Sequence, residues 1–185
     1  SGLGIYAHRY SSAGEALGSE FRVNSTIANA QDRPAIAMDQ DGDFLIAWRS
    51  NQDGVSNDVY AQRYDSVGSP LGGEFRVNTT TAEAQGTPAV AMDADGDFVI
   101  LWNSYAQDGD VYGVYARRYS AAGVAQGGEL QVNTETVDEQ RNSSVAMDAD
   151  GDFVVTWESL SQDGPNSGVY GQRFNETTET AGPMV

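Results

Sequence analysis

The sequence has no cysteine, no lysine and a single histidine, and its longest strongly apolar runs are five-residue pieces such as Phe98-Val99-Ile100-Leu101-Trp102. Without cysteine there are neither disulfides nor thiolate metal sites. Without lysine no side-chain amine is available for a Schiff base. A five-residue run falls far short of the roughly 20 residues that span a bilayer as a helix, so no membrane insertion is expected. Basic residues are also scarce: 10 arginines face 27 acids, for a net charge of −17. That charge repels the phosphates of nucleic acids and anionic lipids, and no nucleic-acid partner is expected.

What is present is an internal repeat. Ala-Met-Asp-x-Asp-Gly-Asp-Phe occurs at 37–44, 91–98 and 146–153. Tyr-x-x-Arg-(Tyr/Phe) starts at Tyr6, Tyr60, Tyr115 and Tyr170, and Glu-(Phe/Leu)-x-Val-Asn at Glu20, Glu74 and Glu129. The one-residue difference between copies falls between the Trp and the following Tyr, in a loop that absorbs it. One repeat domain is expected over 1–174, with units at 1–33 (partial), 34–87, 88–142 and 143–174 (partial), and a C-terminal tail at 175–185.

Each unit reads as four short strands, A to D. In the middle copy these are Ala89–Asp93, Phe98–Asn103 and Val114–Ser120, with Glu74–Asn78 of the copy before as D. All are rich in Val, Ile, Phe, Tyr or Trp and bounded by Gly, Asn, Asp or Ser. A two-residue Asp-Gly turn between A and B pairs Gln40 with Asp43 and sets Ala35 and Ala37 on one face with Phe44, Ile46 and Trp48. Ile36, Met38 and Leu45 then form the other face. Both faces are apolar, so both must be covered. The expected fold is all-β, a β-propeller-like array of four-stranded antiparallel blades, with a β-trefoil and tandem β-sandwiches as alternatives.

Runs such as Val-Tyr-Ala-Gln-Arg-Tyr, Gly-Gly-Glu-Phe-Arg-Val-Asn and Ala-Met-Asp-Ala-Asp-Gly-Asp-Phe-Val resemble tandem repeats of large secreted or cell-surface bacterial proteins. The likeness covers residues 5–174. It implies an extracellular setting, secreted or at the cell surface, and a role in adhesion, and it brings no active site. The acidic A-to-B turn is also similar to the calcium loop of integrin-type propeller repeats, although its glycine is differently placed.

That turn is the candidate metal site: Asp39, Asp41 and Asp43; Asp93, Asp95 and Asp97; Asp148, Asp150 and Asp152. Three carboxylates at alternate positions suit calcium, which takes six to eight oxygens. A plain hairpin turn, with Asp accepting backbone amides, is the competing reading. The B-to-C loops, which vary most between copies, are the candidate ligand surface: Gln52 and Asp53, Tyr105, Gln107 and Asp108, and Gln162 and Asp163. Trp48, Trp102 and Trp157 read as core rather than sugar platforms. His8 is replaced by Gln62, Arg117 and Gln172 in the other copies, which leaves a His-based triad without support. Glu158 and Asp110 stand out as acids without an evident partner.

The expected function is a non-catalytic extracellular binding and adhesion module, not an enzyme, with carbohydrate as ligand class and calcium as stabiliser. The alternative is a glycoside-active propeller enzyme. Counting strands gives C and D, then A to D twice, then A to C. This leaves the array open and suggests a homodimer that completes a six-bladed ring.

Overall fold

The computed structural model describes residues 2–175, so the expected tail lies outside it except for Asn175. The described residues form 13 strands: β1 (Tyr6–Ala7), β2 (Phe21–Arg22), β3 (Gln31–Met38), β4 (Phe44–Ser50), β5 (Asp58–Tyr64), β6 (Phe75–Arg76), β7 (Gln85–Met92), β8 (Phe98–Tyr105), β9 (Tyr112–Tyr119), β10 (Leu130–Gln131), β11 (Gln140–Met147), β12 (Phe153–Leu160) and β13 (Ser167–Phe174). Antiparallel pairing groups them as β1-β2, β3-β4-β5-β6, β7-β8-β9-β10 and β11-β12-β13. These are strands C and D, two complete blades and strands A to C, the order expected from the repeat. Among the described residues no helix is long and apolar enough to cross a membrane.

Successive blades stack face to face. Strand β3 lies alongside β7, and β7 alongside β11, so strand A is the inner strand of every blade. The middle strands are buried on both sides: Leu45, Ala47, Trp48, Val99, Ile100, Leu101 and Trp102 have no exposed surface. One core joins Phe98, Ile100 and Trp102 of the second complete blade to Leu45, Ala47, Val59 and Ala61 of the first. The next joins Phe153, Val155 and Trp157 to Ala91, Val99, Leu101 and Val114. Each blade thus sets its large Phe/Ile/Trp face on the smaller face of the blade before. At roughly 25 cal/mol per Å² of apolar area removed from water, this is the main stabilising term.

The register corrects the sequence expectation. The A-to-B connection spans five residues, with Asp39 N donating to Asp43 O (3.0 Å) and Gly42 N to Asp39 O (3.3 Å). Gly42 has φ 87°, a left-handed conformation that glycine adopts without steric cost. Met38 therefore pairs with Phe44 and Ala37 with Leu45, one residue from the expected alignment. Because side chains alternate, a one-residue slip exchanges the faces. Ile36 and Met38 join Phe44 and Ile46, while Ala35 and Ala37 join Leu45 and Ala47.

Polar latches repeat at the blade junctions. Arg9 donates to the carbonyls of Ser66 and Val67 in the next blade, and Arg63 donates to those of Ala121 and Ala122. They reach these carbonyls because strand C aims them across the junction at a turn. In the reverse direction Glu74 accepts from Ser25 N (2.7 Å) and Thr26 Oγ1 (3.1 Å). Glu129 accepts from Thr79 N, from Thr80 N (3.1 Å) and from Thr80 Oγ1 (2.8 Å). Burial raises the Glu129 pKa, but these bonds and one from Gln107 outweigh it and hold the carboxyl below the usual range.

A group whose folded pKa is depressed contributes stability above its unfolded value, lost as pH falls through the folded one. Glu129→Gln is therefore expected to lower the stability at pH 7 by about 1 kcal/mol after allowance for partial exposure. It should also flatten the decline in stability below pH 4 to 5, as thermal melts across pH would read. At the alkaline end, burial pushes the Tyr64 and Tyr119 hydroxyls up to about 12. These groups ionise near 10 when unfolded, so stability is expected to fall steadily between about pH 10 and 12. Tyr119→Phe should reduce that slope in the same melts.

Candidate functional site

A β-bulge recurs near the start of each inner strand, where the A–B register shifts between Asp32 and Ala35, Gly86 and Ala89, and Arg141 and Ser144. The bulged residues Arg33, Thr87 and Asn142 take φ of 54°, 53° and 54°. Side-chain-bearing residues seldom occupy this left-handed region, and bulges commonly re-aim side chains at functional sites. Here all three line one cavity of about 340 Å³, together with Arg49, Asn57, Gln85, Gly86, Asn103, Tyr112 and Arg141. It lies where the three inner strands begin, on the end of the array that carries the B-to-C and D-to-A loops.

The cavity is the place where the repeat departs from its own pattern. Three cross-strand pairs occupy equivalent positions: Asp32 with Arg49, Gly86 with Asn103, and Arg141 with Glu158. In the first blade Arg49 makes a two-pronged bond to Asp32, at 2.7 and 2.6 Å. The guanidinium, first through these bonds and then through its charge, holds the Asp32 carboxyl below the usual range against the opposing effect of burial. In the third blade the polarity is reversed. Arg141 lies 3.8 Å from Glu158 and 2.5 Å from Glu139, and Asn142 Nδ2 donates to Glu158 at 3.0 Å. The middle pair is small, and this opens the floor. A Cβ on Gly86 would sit 2.9 Å from Arg49 Cδ, so the Arg49 arm crosses the space that glycine leaves.

Two further features suit a polar ligand. Gln85 Oε1 and Asn103 Oδ1 are buried acceptors without a hydrogen-bond partner. Gln31 and Gln140, the equivalents of Gln85, accept from Asn24 and Asn133. In the middle blade Asn78 turns to Asp58 instead, at 2.6 Å, and Gln85 is left unserved. Such orphaned acceptors cost about 1–3 kcal/mol unless a donor meets them. Arg33 donates to Thr87 Oγ1 at 2.8 Å and presents the rest of its guanidinium to the cavity.

The residues expected from the sequence lie elsewhere or play other parts. Gln107 is held between Ser104 (2.6 Å) and Glu129 (2.8 Å). Gln52 accepts from Ser50, and Asp53 from Val55 N. Asp108 reaches Asp110 N and Asn133, and Gln162 and Asp163 are exposed. Only Tyr105 approaches the site, packing edge-on to the cavity residue Tyr112 with ring centroids 5.1 Å apart. In the acidic turns, Asp39, Asp93 and Asp148 accept amides of their own turn. Asp43 and Asp97 accept from Ser66 N and Ala121 N of the C-to-D turn, and Asp152 pairs with Arg173 at 2.7 Å. Asp41, Asp95 and Asp150 are exposed. Among the described residues no group of three or more acids or histidines is arranged to hold a metal ion. The three tryptophans are core, as expected.

The sequence reading missed Arg33, Arg49, Arg141 and Asn103, although a signal for them existed. They stand at aligned positions where the copies disagree in charge, whereas the loops disagree in length.

No family model matches the chain, and no curated protein does. Solved structures do. A Hadza microbial sialidase is similar over 82% of this chain and 36% of its own, at 12% identity and a TM-score of 0.60. A Dyadobacter fermentans protein of unknown function is similar over 83% and 53%, at 11% identity and 0.59. An endo-1,4-β-xylanase from Bacteroides thetaiotaomicron is similar over 83% and 59%, at 11% identity and 0.51. The fold is propeller-like. The chain spans between about a third and three-fifths of the length of these structures. Two of the three are carbohydrate-active enzymes by name, and the expectation of a non-catalytic binding and adhesion module, not an enzyme, is corrected on that finding.

The Arg49–Asp32 pairing has a direct test. Arg49→Met is expected to raise the Asp32 pKa back towards the ordinary carboxylate value, as followed by carboxyl carbon NMR across pH 2 to 6.

Proposed function

We propose that this chain is part of a glycoside-active propeller, with a saccharide bound in the axial cavity and hydrolysis dependent on Asp32 and Glu158. The observation that carries the reading is the break in repeat symmetry at the cavity wall. An acid from the first blade and an acid from the third stand at equivalent register positions on opposite strands, each tied to an arginine that lines the cavity. Names of similar folds, a sialidase and a xylanase, support the substrate class.

Glycoside hydrolysis needs two carboxyl groups in different environments, one to protonate the leaving oxygen and one to take a proton from water or attack the sugar carbon. Asp32, held ionised by Arg49, suits the role of base or nucleophile. Glu158, in a looser contact with Arg141 and Asn142, is the second carboxyl group of the pair. Arg33 and Asn142 line the cavity together with Gln85 and Asn103, whose buried side-chain oxygens lack a hydrogen-bond partner.

Nitrophenyl glycosides and a polysaccharide panel test the reading by release of nitrophenol or reducing ends. Turnover by the native chain should fall by about 100-fold or more in Asp32→Asn and in Glu158→Gln, with unchanged circular dichroism. Turnover insensitive to both substitutions, or none on any substrate, would overturn it.

A further inference from the structure

The wall of the axial cavity departs from the charge of the chain as a whole. Acids outnumber arginines by 27 to 10 in the sequence, yet Arg33, Arg49 and Arg141 line this cavity of about 340 Å³ and, among the described residues, no acid does. Two of the three guanidinium groups already have carboxylates. Arg49 donates through Nε and Nη2 to the two oxygens of Asp32, at 2.7 and 2.6 Å, and Arg141 lies against Glu139 and Glu158. Arg33 has none. Asp32 precedes it in the chain, but both oxygens of that carboxylate accept from Arg49. The hydrogen bond of Arg33 runs from Nη1 to the neutral Thr87 Oγ1, at 2.8 Å, and the residue is exposed to solvent. Its φ of 54° is a strained conformation of the kind by which bulges re-aim a side chain. The other copies carry Thr87 and Asn142 in the same conformation, so the scaffold does not require a charge there.

We propose that the sugar bound in this cavity is a uronic acid whose carboxylate is held by Arg33. This rests on the saccharide reading given above and adds the charge of the ligand to it. A guanidinium meets a carboxylate with two parallel donors on two acceptors, a fit that a neutral hydroxymethyl group does not offer. One cation without a carboxylate partner suits one negative charge. A net charge of −17 repels densely charged polyanions, so an isolated uronic acid in an otherwise neutral saccharide is the form that meets both conditions.

Calorimetric titration of the full chain with methyl glucuronide against methyl glucoside, and with methyl galacturonide against methyl galactoside, tests the proposal without any turnover. Each pair differs only in the carboxylate. The uronide of at least one pair is expected to bind about tenfold or more tightly than its neutral partner. Arg33→Asn, which places there the residue that the third copy carries in the same backbone conformation, should melt as the native chain does and lose the preference. Arg33→Lys keeps the charge without the two-pronged geometry and should retain only part of it. No preference for either uronide, or a preference unchanged in Arg33→Asn, would overturn the proposal. Tighter binding of glucose 6-sulfate than of the glucuronide would overturn it as well, in favour of a sulfated sugar. Uronide binding without hydrolysis of any glycoside would instead remove the hydrolytic reading and leave this one standing, whereas hydrolysis of neutral glycosides with no uronide preference would do the reverse.

Discussion

The structure depends on one constraint: the middle strands are apolar on both faces and cannot be left in water on either. Leu45 and Trp48 lie three positions apart on one strand, so they point opposite ways, and both are fully buried. A single sheet cannot achieve that. A stack of sheets can, with each blade supplying a large face to one neighbour and a smaller face to the other, so cores form between blades rather than within them. Rings stacked across neighbouring strands extend these cores, with Phe44 on Tyr64, Phe98 on Tyr119 and Phe153 on Phe174 at 4.9, 5.0 and 4.8 Å between centroids.

Non-directional burial fixes the stacking only loosely, and the polar contacts give it a defined alignment. Arg9 and Arg63 hold the next blade's C-to-D turn, while Glu74 and Glu129 hold the preceding blade beyond its D strand. Within each blade the Asn that closes the Glu-x-x-Val-Asn motif accepts from strand C, at Ile5 N, Val59 N and Val114 N. Repeated side chains are thereby consumed in holding the scaffold. The positions that do not repeat gather where the inner strands begin, and there Asp32, Gly86 and Arg141 share one register position.

The charge distribution follows the same division. Acids predominate over the chain as a whole, yet Arg33, Arg49 and Arg141 converge on a single cavity. Their positive charge is partly balanced by Asp32, Glu139 and Glu158. Such balance keeps the arginines ordered in a site that would otherwise concentrate like charge.

The sequence alone determined the strands, their number and order, the burial of the tryptophans and the propeller-like stacking. Each of these follows from short-range alternation and from a repeat that imposes the same solution on every copy. It did not determine the A–B register, because the Asp-Gly-Asp turn is compatible with both a two-residue and a five-residue connection, and only hydrogen bonding between Asp39 and Asp43 decides between them. Nor did it reveal the site. Arg33, Gly86 and Arg141 are about 54 residues apart along the chain and show no local motif. They meet only because three inner strands start side by side at one end of the array, a consequence of blade-on-blade packing that tertiary structure alone supplies.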